Sequence, residues 1–145
     1  MKYQQGAIGR VFVAKIEHGE DLLIELKSLA VKENIRSACM FIIGAVKSAS
    51  LVTGPRDCSV PPEPVWRSFT DGREILGAGT VFWDETEPVL HIHSTVGKGD
   101  LSLTGCLREQ TETYLVVEAV ILEISGIDAS RALDPILGVK ALTLK

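Results

Sequence analysis

The chain has 145 residues, 46% of them hydrophobic, 23% charged and 6% aromatic, with a formal net charge of −4. That length fits one domain, the apolar content excludes disorder, and 13 Gly and 6 Pro without a period exclude collagen-like and low-complexity classes. The acidic balance argues against unaided nucleic-acid binding, which needs a basic face to neutralise phosphates.

Arg10 to Ile16 is rich in β-branched and aromatic residues and reads as a first strand. Gly19 breaks it, and Glu20 and Asp21 place negative charge at a helix start, where the helix dipole favours anions. Leu22, Leu26, Leu29 and Ala30 recur at i, i+4, i+7 and i+8, one face of a helix running to about Glu33, with Asn34 as its stop. Ser37 to Val46 is an apolar segment, and Ser48 to Thr53 reads as a second strand after a bend. Four prolines between Pro55 and Pro64 remove ladder donors and predict a long loop with a functional or interface role. Beyond it the chain is strand-like. Glu74 to Trp83 holds Gly77 and Gly79, which predict a bulge or a close backbone approach. Val89 to Val96 and Leu101 to Leu107 flank a turn at Gly97-Lys98-Gly99-Asp100; Thr113 to Ile124 and Val139 to Leu144 complete the set. One helix followed by many strands implies a single-domain α+β fold with a largely antiparallel sheet.

The polar N-terminus carries no apolar signal-peptide stretch, and no uninterrupted apolar run approaches the ~20 residues of a spanning helix. Cys39, Cys58 and Cys106 are an odd number at wide spacings, unlike a secreted disulfide framework. These features predict a cytoplasmic protein with reduced thiols. Mean hydropathy of +0.20 points to apolar surface buried against another subunit.

The candidate chemistry lies in His91 and His93. Residues two apart on a strand point to one face, so both imidazoles project together. A hairpin centred on Lys98-Gly99 puts His91 opposite Cys106 and His93 opposite Thr104, gathering His91, His93 and Cys106 on one face. Two imidazoles and a thiolate are a Zn²⁺ ligand set that leaves a fourth position open. A one-residue bulge would send Cys106 to the opposite face. His18 reads as a solvated turn residue, Cys39 as a small core residue and Cys58 as an exposed thiol. Glu118 interrupts an apolar strand and needs a partner, an interface or a place near the metal.

In the order opening strand, Gly-Glu-Asp, Ile42-Ile43-Gly44-Ala45-Val46, Leu76-Gly77, Leu90-His91-Ile92-His93, Gly105-Cys106-Leu107 and Val117-Glu118-Ala119-Val120, the sequence resembles the plants-and-prokaryotes conserved (PPC) domain, also described as PD1-like and DNA-binding. The similarity covers about residues 8–125. The resemblance implies a mixed, mostly antiparallel sheet and a homotrimer. It also implies a metal site, zinc by expectation, built in some prokaryotic members from the strand histidines and a third one in Gly-His-Leu. His91 and His93 match the pair, but Cys106 stands at the third position, which either preserves the site in altered form or abolishes it. Plant members reach DNA through AT-hook segments, and no Arg-Gly-Arg-Pro hook occurs here.

Three functions follow as expectations. The first is a homotrimeric binding or regulatory module with a His/His/Cys zinc site. The second is a zinc-dependent enzyme acting on a small substrate, with Glu118 as a possible acid or base. The third is DNA binding through a trimer surface carrying Arg56, Arg67 and Arg73.

Overall fold

Asp21 starts the one helix of the chain. In the computed structural model, which describes residues 1–145, its Oδ1 accepts the N–H groups of Leu23 and Ile24 at 2.9 and 3.0 Å. Its Oδ2 accepts the Thr111 N–H at 2.8 Å. One carboxylate thus caps α1 (Leu22–Lys32) and ties it to the segment before the last long strand. The helix stops where the sequence indicates. Asn34 takes φ of 50°, its N–H bonds to the Val31 carbonyl, and the Ile35 N–H bonds back to that of Ala30. Leu22, Leu26 and Ala30 are buried, as the spacing predicts.

Around the helix run β1 (Ala7–Glu17), β2 (Ser37–Pro55), β3 (Pro64–Phe69), β4 (Arg73–Trp83), β5 (Pro88–Lys98), β6 (Leu101–Leu107) and β7 (Glu112–Ser125). They form a seven-stranded sheet in the order β1-β7-β2-β4-β5-β6, with β3 attached to β2. Every pairing in it is antiparallel, so the mixed sheet implied by the resemblance gives way to an antiparallel one. A separate hairpin joins β8 (Ala129–Asp134) to β9 (Val139–Leu144). No helix is long and apolar enough to cross a membrane.

β2 organises the sheet. The apolar segment and the strand expected after it are one 19-residue strand. Its first part pairs with β4 and β7, and its last part turns to β3 and β6. β2, β4, β5 and β6 therefore close on themselves. The bend needs Gly44: a Cβ there would lie 2.3 Å from the Val116 carbonyl oxygen, and φ is 135°. Opposite it the β7 register slips next to Leu115, itself left-handed at φ of 59°. Gly79 serves the second expected role, close approach without a bulge. Its Cβ would meet Ile92 Cγ1 at 2.7 Å, while the β4–β5 register runs unbroken.

The sheet has two unlike faces. Ile42, Val46, Ile75, Ile92, Val96 and Val117 pack into the core together with the helix. The other face is bare, with Val11, Val13, Phe41, Ile43, Leu76 and Val120 exposed on it. Cys39 is half-buried and pairs with Thr80 and Leu122, which puts it on this outer face rather than in the core. Cys58 is exposed in the proline-rich loop, as expected. Asp21→Ala is expected to lower unfolding free energy by about 1–2 kcal/mol, read as a lower urea midpoint; Asp21→Ser, keeping one acceptor, recovers part of it.

Candidate metal centre

The β5–β6 hairpin turns on Gly99-Asp100, not on Lys98-Gly99. A tight hairpin turn wants a left-handed residue at its first loop position, and Gly99, at φ of 56°, supplies it where Lys98 would be strained. The register therefore moves by two from the expected one. His93 lies opposite Cys106, Thr95 opposite Thr104, and His91 is the diagonal neighbour. Because strand faces alternate with a period of two, the shift leaves all three residues on the face predicted for them.

There the three come together. His91 Nε2 and His93 Nε2 are 3.1 Å apart, and with Cys106 Sγ the ligand atoms lie within 4.8 Å of one another. Cys106 is buried, His91 half-buried and His93 exposed, so the cluster opens towards solvent on the histidine side. The donor set fits zinc. With Zn–N of ~2.0–2.1 Å and tetrahedral angles, two ligand nitrogens sit about 3.3 Å apart, close to the spacing already present.

Arg131, on β8, closes the cluster from outside the main sheet. Its Nη2 donates to Thr80 Oγ1 at 3.0 Å and to His91 Nδ1 at 3.2 Å, and its Nη1 to the Lys140 carbonyl at 3.3 Å. A guanidinium can only donate, so His91 Nδ1 must accept. The neutral ring then carries its proton on Nε2, directed at His93 Nε2. Burial, and after it the charges of Arg131, His93 and Arg108, push the His91 pKa down to about 4. Burial raises the Cys106 thiol, against the pull of Arg108 and Arg131. At neutral pH the centre thus offers a neutral imidazole at His91 and a protonated thiol at Cys106, and a metal would displace the thiol proton. Arg131 escaped the sequence reading because Ala129–Asp134 shows no strong strand pattern; its one signal is a lone arginine between small and apolar residues.

Other residues singled out from the sequence fall elsewhere. Glu118 is exposed on the outer face of β7, opposite Lys15 and Ile43. Three strand spacings, about 14 Å, separate it from the β5 histidines, so it stands on the open face away from its own chain's His91 and His93. His18 is exposed, and its Nδ1 accepts the Leu115 N–H at 3.1 Å. Arg56 pairs with Glu63 at 2.9 Å, Arg73 with Asp71 at 2.8 Å, and Arg67 donates to the Trp66 carbonyl.

An antiparallel sheet backed by one helix, with paired histidines and a third donor at one edge of its bare face, defines a small β-rich domain with a candidate metal centre. The chain belongs to the Plants and Prokaryotes Conserved (PCC) domain family, whose profile matches residues 3–125. Among solved structures, a metal-containing protein of Archaeoglobus fulgidus is similar at 28% identity and a TM-score of 0.87, with 99% of each chain covered. A PPC protein of Pyrococcus horikoshii shares the fold at 23% identity and a TM-score of 0.84, covering 100% of this chain and 99% of its own. A candidate DNA-binding protein of Ralstonia eutropha is 25% identical with a TM-score of 0.77, over 92% of this chain and 90% of its own. No curated protein matches the chain.

Because the folded pKa of His91 lies below the ordinary value, its neutral ring contributes stability that is fully present above pH 6.5 and is lost as pH falls towards about 4. In metal-free protein the His91 ring resonance should therefore titrate near pH 4 by NMR, and Arg131→Met should move the midpoint up.

Proposed function

We propose that the protein is a metal-binding module that holds a divalent ion, zinc by donor chemistry, on His91, His93 and Cys106. The observation that carries this reading is the convergence of two imidazole nitrogens and a thiol within 4.8 Å on one sheet face. The similarity to a metal-containing protein of A. fulgidus supports it. On this reading cysteine replaces the family's third histidine without loss of the site, since a thiolate is itself a strong zinc ligand.

The module assembles with copies of itself through its bare face, and three copies is the assembly the family resemblance implies. Val13, Val120, Phe41, Ala78, His93 and Cys106 stand in one line of paired residues across β1, β7, β2, β4, β5 and β6. The apolar face therefore runs directly into the metal centre, and assembly shields exposed apolar surface that a lone subunit leaves in water. A cytoplasmic binding or regulatory role agrees with this arrangement. The enzyme reading lacks an acid or base from the same chain, since Glu118 stands about three strand spacings from the histidines. The DNA-binding reading draws on relatives described as candidate DNA-binding proteins, the R. eutropha one among them, while Arg56 and Arg73 are already ion-paired and the net charge is −4.

Protein purified without a histidine tag should carry or take up about one zinc per chain by elemental analysis. His93→Ala or Cys106→Ala should weaken zinc binding by 10²-fold or more, and a wild type that neither co-purifies with nor binds zinc overturns the reading. Light scattering should give three chains per particle, and Phe41→Glu, on the bare face, should give monomers that keep their fold by circular dichroism.

A further inference from the structure

We infer that the centre's ligand is a small oxyanion, a carboxylate or phosphate group, and that Arg131 anchors it; the inference rests on the metal reading above for where the anion sits. Arg131 is the first observation. Its residue exposure is only 9%, yet no carboxylate lies within ion-pairing distance, and its Nε has no partner at all. The groups it touches, Thr80 Oγ1, His91 Nδ1 and the Lys140 carbonyl, are all neutral. A buried cation held only by neutral acceptors is costly unless an anion joins it.

Charge balance points the same way. The charged groups that act on Cys106 and Arg131 from outside the cluster include Arg108, also positive, and no acidic side chain. Cys106 is the one neighbour that can become an anion, and a divalent ion would take up its charge. Metal, thiolate and Arg131 together leave two positive charges, before Arg108 is added. An exposed His93 beside this excess leaves an approach for a solvent anion.

Hydrogen bonding supplies the third argument. When His91 gives its Nε2 lone pair to a metal, the neutral ring carries its proton on Nδ1. That N–H then faces a guanidinium N–H across the 3.2 Å now spanned by a hydrogen bond. Two donors cannot satisfy each other, and an acceptor must come between or beside them. An oxyanion accepts from both, and the fork of a guanidinium suits its paired oxygens. Metal loading therefore turns Arg131 from a partner of His91 into a donor for the ligand.

The test uses cobalt-loaded protein, titrated with acetate and with inorganic phosphate, and with imidazole as a neutral ligand. The visible spectrum of the wild type should shift saturably with at least one of the two anions, and which one identifies the group. Arg131→Met should weaken that anion at least tenfold while cobalt content and the response to imidazole stay unchanged. Arg131→Lys, which keeps the charge and loses the fork, should fall between. A cobalt-loaded wild type indifferent to both anions, or equal anion affinity in Arg131→Met, overturns the inference and leaves the metal reading standing. If the protein takes no metal, the metal reading fails, and the thermal midpoint of the metal-free protein decides. An anion-dependent rise that Arg131→Met abolishes keeps the anion site; no rise removes it.

Discussion

The functional surface of this protein depends on a single alternation: on β5, odd-numbered residues face outwards and even-numbered ones face the core. Ile92, Ser94 and Val96 are buried, while His91, His93 and Thr95 stand on the bare face. The two-residue turn at Gly99-Asp100 transmits that alternation to β6, so that Cys106 faces out beside His93 and Gly105 and Leu107 face in. The same parity runs through β4, β2, β7 and β1. The apolar face and the candidate metal centre are consequently one continuous surface, and a single-residue slip at the turn would separate them.

Much of this was legible in the residues. The helix was readable because its apolar spacing, its acidic cap and its left-handed stop agree. His91 and His93 were readable because strand periodicity is strict, and the face of Cys106 survived a wrong turn because an even shift preserves parity. What stayed hidden has physical causes. Which residue leads a Gly-rich turn depends on backbone φ, and that decided whether His91 or His93 faces Cys106. β3, straight after the prolines, and β8, with its small residues, carry too little periodic apolar pattern to be read as strands. Arg131 acts across 40 residues of sequence from His91, and no local pattern announces such a contact.

The electrostatics of the centre come mostly from outside its ligands. In the metal-free protein a neutral His91 ring and a buried protonated thiol carry no charge, and the fixed charges acting on both are Arg108 and Arg131. That environment keeps His91 neutral and opposes proton uptake, while a metal's charge would have to be met by the thiolate and by what arrives from solution. Cysteine in place of a third histidine adds one negative charge to the ligand set, which lessens the excess without removing it.

The side chain that hydrogen-bonds His91 from outside the candidate ligand set belongs to the terminal hairpin, whose ladder is its own and which lies beyond the 3–125 span matched by the family profile, although the A. fulgidus and P. horikoshii structures extend over it. The large sheet carries the core and the three candidate metal-ligating side chains, while a short hairpin with a ladder of its own supplies the guanidinium beside them. Because the two ladders share no strand, substitutions in the terminal hairpin can change the group beside His91 while leaving untouched the crowded backbone contacts at Gly44 and Gly79 that hold the large sheet together.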